Sequence, residues 1–154
     1  MPQQTSVTVI TSAFNCEKYI LDCLDSVQHQ TTRPTLHIVV DDDSTDNTRI
    51  LVEKYSQQSN RVPVRLIKRK TNGNAATARN DGIANTTTDY FAVLDADDMA
   101  LPYWIERTLP LIRRSRSIGC VGGGGVLCTE TGLPLYISLP DETHRPAHEK
   151  ALSG

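Results

Sequence analysis

The sequence of 154 residues lacks the features that mark membrane-spanning, secreted and nucleic-acid-binding proteins. Its longest apolar runs are only as long as strands, so no segment predicts a transmembrane helix. The first residues contain neither the basic region nor the apolar stretch of a signal peptide. A net charge of −2 provides no general attraction to nucleic acid or anionic lipid. We therefore expect a cytoplasmic protein with no nucleic-acid partner, and leave peripheral membrane association open.

The sequence has four cysteines but no CxxC pair, which argues against a zinc ribbon or a redox motif. Cys23 falls on the apolar side of a predicted helix, and Cys120 and Cys128 lie in strand-like runs. We therefore predict that these residues and Cys16 are small buried side chains in a reducing compartment. A secreted, disulfide-bonded protein is the alternative.

Familiar loops for binding phosphate or calcium are also missing. The four glycines at 122–125 are followed neither by a helix of the GxGxxG type nor by the Lys-Ser/Thr of a P-loop. An EF-hand that begins at Asp41 would need glycine in place of Asp46 and glutamate in place of Val52. A phosphate or metal site must therefore be assembled from separate segments.

What the sequence does contain is a regular alternation of strand and helix patterns. We predict strands at 6–11, 36–40, 64–67 and 90–94, and helices at 17–30, from Asp46 to about 58, at 74–84 and at 102–114. This order predicts an α/β fold with a mostly parallel, Rossmann-like sheet and helices on both faces. A further strand is predicted at 120–128. We assign residues 1–138 to one domain and residues 139–154 to an irregular tail.

Three of the predicted strands end in polar residues, at 11–15, 41–43 and 95–98. Ligands of open α/β sheets bind outside the carboxyl ends of the strands, so these segments should surround one crevice. Carboxylates crowded there would repel one another, and Mg²⁺ or Mn²⁺ together with a nucleotide diphosphate would relieve the repulsion. Arg79 or Lys68 would then meet the phosphate charge.

Each polar segment also has a purely structural interpretation. Aspartate is common after strands because it caps the helix that follows, and Ser44 and Asp46 are better explained as caps than as ligands. The basic run at 68–70 alone is typical of a solvated strand end. The functional interpretation is favoured because the acidic loops follow different strands of one sheet.

Several ordered motifs in this chain resemble family 2 glycosyltransferases, from about Val7 to Pro102. The segment at 9–20 resembles the family's opening strand and loop, and the segment at 25–31 resembles the end of the family's first helix. The acidic turn at 40–48 resembles the family's hallmark, with Asp43 where glycine is more usual. The segments at 72–83 and 91–98 resemble those that lead to and form the DxD motif.

The resemblance implies a GT-A-type fold and a metal-dependent donor site. Thr11 and Asp42 correspond to residues that hold the base, and Arg79 to one that supports the base or the phosphates. The implied nucleotide-sugar-binding set is Thr11, Ser12, Asn15, Glu17, Asp41, Asp42, Arg79, Asp95 and Ala96. The implied ligands of Mn²⁺ or Mg²⁺ are Asp97, Asp95 and Asp98.

The resemblance further implies transfer of a sugar, with inversion, from a nucleotide-diphosphate donor to an acceptor hydroxyl. A UDP-sugar is the favoured donor, and the acceptor could be a saccharide, a lipid-linked molecule or another hydroxyl compound. The family's catalytic base lies in the acceptor half, which we expect this chain to lack. Asp141 and Glu142 are the only acidic pair after the last predicted strand, so they are the candidates for the base.

Two other functions remain open at this stage. The chain could be a non-catalytic module that binds a nucleotide or nucleotide sugar. It could also be a receiver-like phosphotransfer domain, although that class needs an acidic pair after the first strand, where this chain has Thr11-Ser12-Ala13.

Overall fold

The computed structural model describes residues 6–59, 61–128 and 134–138. The chain divides after Arg107 into two compact units. The first unit holds a parallel sheet and the first three helices, and the second holds an antiparallel pair of strands, β5 (Gly125–Cys128) and β6 (Pro134–Ser138). The predicted tail at 139–154, with Asp141 and Glu142, lies outside the described residues.

A four-stranded parallel sheet organises the first unit. Its strands are β1 (Val7–Ala13), β2 (Leu36–Asp41), β3 (Val64–Lys68) and β4 (Tyr90–Val93), in the order β3-β2-β1-β4. The helices along the chain are α1 (Ile20–Gln28), α2 (Thr48–Ser56), α3 (Ala75–Ala84) and α4 (Trp104–Arg113). The predicted α/β architecture is confirmed. The strand order also differs from that of receiver domains, in which the third strand lies next to the first.

Helices cover both faces of the sheet because the side chains of β2 alternate between two apolar clusters. Val39 packs in a cluster with Leu24 of α1 and Val52 of α2. Its neighbours Ile38 and Val40 pack on the opposite face against Ala78 of α3. Continuous burial along the strand is what a parallel sheet covered on both sides requires.

The approach of α3 to the sheet depends on Gly82. A Cβ atom at this position would collide with Cγ2 of Ile10 in β1 and would touch Cγ2 of Val40 at 3.4 Å. The absence of a side chain therefore brings the backbone of α3 close to the centre of the sheet. This contact sets how the residues of α3 meet the strand ends.

Asp43 occupies a left-handed backbone conformation, with φ of 65°. Glycine adopts this conformation without steric cost, which explains why the acidic turn more usually has glycine there. Asp43 also lies 3.5 Å from Arg49, but its side chain is 45% exposed, so this ion pair contributes little.

We expect Asp43→Gly to be more stable than Asp43→Ala by about 1 kcal/mol, because both variants remove the carboxylate and only alanine retains the steric cost of positive φ. Urea unfolding of the two variants measures the difference directly. Equal free energies of unfolding would show that the turn relaxes to another conformation.

The second unit differs from the prediction at its first strand. Pairing begins at Gly125 rather than at Cys120, and residues 119–124 form no strand. Glycines lose more backbone entropy than other residues in a strand and bring no side chain to pack, so the run resists pairing. Cys120 is exposed, which corrects its predicted burial, whereas Cys16 and Cys23 are buried as predicted. No helix in the described part of the chain is long and apolar enough to cross a membrane.

Candidate donor site

A cleft of about 480 Å³ opens at the carboxyl ends of the parallel strands. The strand order reverses beside β1, which is where open α/β sheets bind their ligands. The walls come from the loops after β1, β2 and β4, from the β3–α3 loop and from α3. The lining residues are Ser12, Ala13, Phe14, Asn15, Cys16, Tyr19, Asp42, Asn72, Asn74, Ala75, Arg79, Asp95, Ala96 and Asp97.

The loops after β1 and β2 are joined by hydrogen bonds. The backbone N–H of Thr45 donates to Oδ1 of Asn15 at 2.9 Å, and the N–H of Asn15 donates to Oγ of Ser44 at 3.1 Å. Oε2 of Glu17 accepts from the backbone N–H of Asn47 at 2.9 Å. The polar residues of both motifs therefore hold one cleft wall together, and the side chain of Glu17 caps α2 instead of lining the cleft.

Helix α1 anchors the acidic loop that follows β4. The thiol of Cys23 donates to the carbonyl oxygen of Asp95 at 3.5 Å, and burial raises the pKa of this thiol to about 12, which keeps it protonated. Ser26 Oγ accepts from the N–H of Ala100 at 3.0 Å, and Gln30 Nε2 donates to the carbonyl oxygen of Leu101 at 2.8 Å. These bonds explain why polar side chains occur at the end of the first helix, because those side chains position the loop at 95–101.

Asp42 is held rigidly at the edge of the cleft. Its side chain is only 3% exposed, yet it contributes to the lining. Oδ1 accepts from Nη1 of Arg69, and the N–H of Gly73 donates to Oδ1 at 3.0 Å and to Oδ2 at 3.1 Å. A buried carboxylate with these partners keeps a fixed orientation.

Three of the rim carboxylates are paired with arginines, so the predicted crowd of unpaired acids is only partly present. Asp41 is fully buried and its carboxylate faces α2 rather than the cleft, which corrects its predicted place in the donor site. The pairs are Arg49 with Asp41 at 2.6 Å, Arg69 with Asp42, and Arg79 with Asp95 at 2.5 Å. Each arginine belongs to a different segment, so only folding brings the opposite charges together.

Asp97 and Asp98 carry the negative charge that remains, since no described cation forms an ion pair with either. Asp97 lines the cleft and Asp98 does not. Partial loss of hydration, followed by the charges of Asp97 and Asp95, raises the pKa of Asp98. Oxygen ligands of this kind suit Mg²⁺ or Mn²⁺.

No group of three or more acidic, histidine or cysteine side chains in the described segments is arranged to hold a metal without other ligands. The predicted trio of Asp95, Asp97 and Asp98 is therefore not a preformed three-carboxylate site. The residues still fit the ion, because Mg²⁺ is commonly held by one or two carboxylates, waters and substrate phosphates.

Thr11 and Lys68 lie away from the cleft. Thr11 is fully buried, and its hydroxyl lies 2.9 Å from Nε2 of His37, so its side chain belongs to the core. Lys68 forms an ion pair with Glu53 of α2, which leaves Arg79 as the cleft cation of the two that were predicted. The structure places the remaining predicted donor residues, Ser12, Asn15, Asp42, Arg79, Asp95 and Ala96, together around the cleft.

Two exposed aromatic residues of the lining were not assigned from the sequence. Phe14 is 49% exposed and Tyr19 is 37% exposed, both on the wall that follows β1. Asn74 was also unassigned; its side chain caps α3 by accepting from the N–H of Thr77 at 3.1 Å, with its own φ at 79°. An apolar ring next to predicted ligand residues was the available signal for Phe14 and Tyr19.

Known proteins share both the sequence pattern and the fold. Residues 8–142 match the model of the family described as glycosyl transferase family 2. Chondroitin synthase of Escherichia coli is 36% identical over 116 residues, which are 75% of this chain and 16% of that enzyme. The chain thus spans well under half the length of this relative.

Solved structures agree with these matches. Residues 1–349 of Staphylococcus aureus TarS, crystallised with UDP-GlcNAc, superpose with a TM-score of 0.63 and 28% identity, over 71% of this chain and 31% of that 1–349 chain. The mannosyltransferase PcManGT of Pyrobaculum calidifontis, solved with GDP-Man and Mn²⁺, has the same fold, with a TM-score of 0.66, 23% identity and coverage of 80% and 35%. The matched sequence, the parallel sheet and the cleft at the strand-order reversal together show that this chain belongs to glycosyl transferase family 2.

Proposed function

We propose that the cleft binds a UDP-sugar with Mg²⁺ or Mn²⁺, and that the protein transfers the sugar to an acceptor hydroxyl with inversion. The observation that carries the proposal is a single cleft lined by a fixed acceptor, Asp42, a cation, Arg79, and a carboxylate, Asp97, with which no cation of the described segments forms an ion pair. TarS, which matches this chain at 28% identity, was solved with UDP-GlcNAc, and this supports the choice of donor class.

We assign the uracil base of the donor to the cleft wall that contains Asp42. A carboxylate accepts N–H donors of a base, and the exposed rings of Phe14 and Tyr19 offer apolar surface on which a base can stack. Asn15 and Ser12 border the same wall. We therefore place the uridine between this wall and the β3–α3 loop.

The diphosphate is assigned to the part of the cleft that holds Arg79 and the acidic loop. Asp97 would hold the ion, with Asp95 and Asp98 beside it, and the bound ion would offset the charge that develops on the departing diphosphate. Arg79 orients the acidic loop through its ion pair with Asp95. Its guanidinium also provides positive charge for a phosphate oxygen.

We expect removal of the divalent ion to weaken UDP binding by about tenfold or more, because Asp97 then repels the diphosphate without a bridging charge. Calorimetry with Mn²⁺ and with EDTA measures the change. Uridine, which has no phosphates, serves as the control and should bind equally in both buffers. Undiminished affinity of UDP in EDTA would contradict the metal-bridged site.

Transfer itself distinguishes an enzyme from a module that only binds donor. General-base catalysis needs a group within hydrogen-bond reach of the attacking hydroxyl, and Asp141 and Glu142 are the candidates in this sequence. A radiolabelled UDP-sugar with a broad panel of acceptors tests for product. Donor binding without transfer or donor hydrolysis would favour the non-catalytic module.

A further inference from the structure

The two oxygens of Asp42 differ in their remaining capacity to accept hydrogen bonds. A carboxylate oxygen has two lone pairs. Oδ1 already accepts from Nη1 of Arg69 and from the N–H of Gly73, whereas Oδ2 accepts, within the described part of the chain, only from the N–H of Gly73, at 3.1 Å. A ligand that docks on Asp42 therefore finds one oxygen with an open lone pair.

Arg69 is fixed in place on three sides. Its Nε donates to Asp81 of α3 at 2.8 Å, and its Nη1 donates to Asp42. Gly73 packs directly on the guanidinium, and a Cβ atom at Gly73 would collide with Nη1. The guanidinium is thus a rigid part of the site, and its side chain is only 16% exposed.

The nucleobases differ in what they present to such a carboxylate. Uracil offers one N–H donor, at N3, with a carbonyl on either side. Guanine offers two adjacent donors, N1–H and the 2-amino group, which pair with both oxygens of a carboxylate. At Asp42 the second donor of guanine would face Oδ1, where the N–H of Arg69 already lies and repels another donor.

We propose that Arg69 determines the base preference of the donor site by occupying Oδ1 of Asp42. The site then accepts a base with a single N–H, such as uracil, and disfavours guanine, whose second donor is left without an acceptor. An unmatched buried donor costs more than a missing contact, so the discrimination is large for one side chain. This inference rests on the proposed donor site, and it adds a specificity-determining residue outside the direct contacts.

The test compares the dissociation constants of UDP and GDP, with Mn²⁺ saturating, in the wild type and in Arg69→Met. Loss of the guanidinium frees one of the two occupied lone pairs of Oδ1, and we expect the preference for UDP over GDP to fall by about tenfold. Arg69→Lys keeps the positive charge but cannot reproduce the two-nitrogen contact, so its preference should lie between the two. It also carries the test if Arg69→Met does not fold. Arg65→Met, which changes an exposed arginine of β3, is the matched control and should retain the wild-type preference.

Modified nucleotides test the same point without depending on a variant. In the wild type, IDP, which lacks the 2-amino group, should bind more tightly than GDP, because in GDP that group is buried without an acceptor. In Arg69→Met, GDP should become several-fold tighter than IDP. N3-methyl-UDP should bind the wild type at least about tenfold more weakly than UDP, since its only base donor is lost.

The outcomes separate this inference from the proposed function. An unchanged ratio of GDP to UDP affinity in both folded Arg69 variants overturns the inference while the donor site stands. A wild type that binds GDP clearly better than IDP also overturns the inference, because the 2-amino group would then have found a hydrogen-bond acceptor in the site. Failure of the wild type to bind any of these nucleotides with Mn²⁺ overturns the donor site itself.

Discussion

Replacement of Asp42 by alanine is expected to weaken UDP binding by about 10- to 100-fold, even with saturating metal. Asp42 is the only carboxylate of the acidic turn at 41–43 that lines the cleft, and it is held by Arg69 and Gly73. The loss removes a charged acceptor for the base and leaves Arg69 with its second partner, Asp81. Calorimetry at fixed Mn²⁺ measures the effect.

Asp43→Ala is the matched control for this experiment. Its carboxylate is adjacent in sequence but lies outside the cleft lining, so UDP affinity should remain near the wild-type value. Thermal melts of both variants establish that the fold is retained. Unchanged affinity of Asp42→Ala for UDP would show that the uracil base binds to another wall of the cleft.

Acidification is expected to destabilise the fold through His37. The ring is fully buried in β2, its Nε2 contacts Thr11 at 2.9 Å, and its Nδ1 finds no hydrogen-bond partner among the residues that the structure describes. Burial lowers the pKa of His37 to about 3. The unfolded chain takes up a proton on this histidine near pH 6.5 and the folded chain does not. The stability that the neutral His37 ring contributes is therefore fully present above pH 6.5 and is lost progressively as the pH drops towards 3.

The loss from this single group amounts to about 2 kcal/mol at pH 5. Urea unfolding at pH 7 and pH 5 should therefore show a smaller decrease in His37→Gln than in the wild type, since glutamine does not titrate. His29→Gln, which removes an exposed histidine at the end of α1, should retain the wild-type decrease. Equal decreases in His37→Gln and the wild type would show that the buried ring is not responsible.

The two expectations differ in how far they depended on structure. Asp42 was a site candidate from the acidic motif alone, because its place after a strand predicted a crevice residue. His37 carried no functional signal in the sequence, where it is one polar residue in an apolar strand. Only the pairing of β1 with β2 brings its ring against Thr11 and removes both from the cleft.

The sequence by itself determined the α/β order of elements and the strand ends that border the cleft. Both are local properties, since apolar periodicity and polar strand termini are visible along the chain. The tertiary structure decided which carboxylates are available. Arg49, Arg69 and Arg79 come from α2, the end of β3 and α3, and their ion pairs with Asp41, Asp42 and Asp95 exist only once helices pack on the sheet. The charge left for a ligand is therefore a product of packing, which no spacing in the sequence encodes.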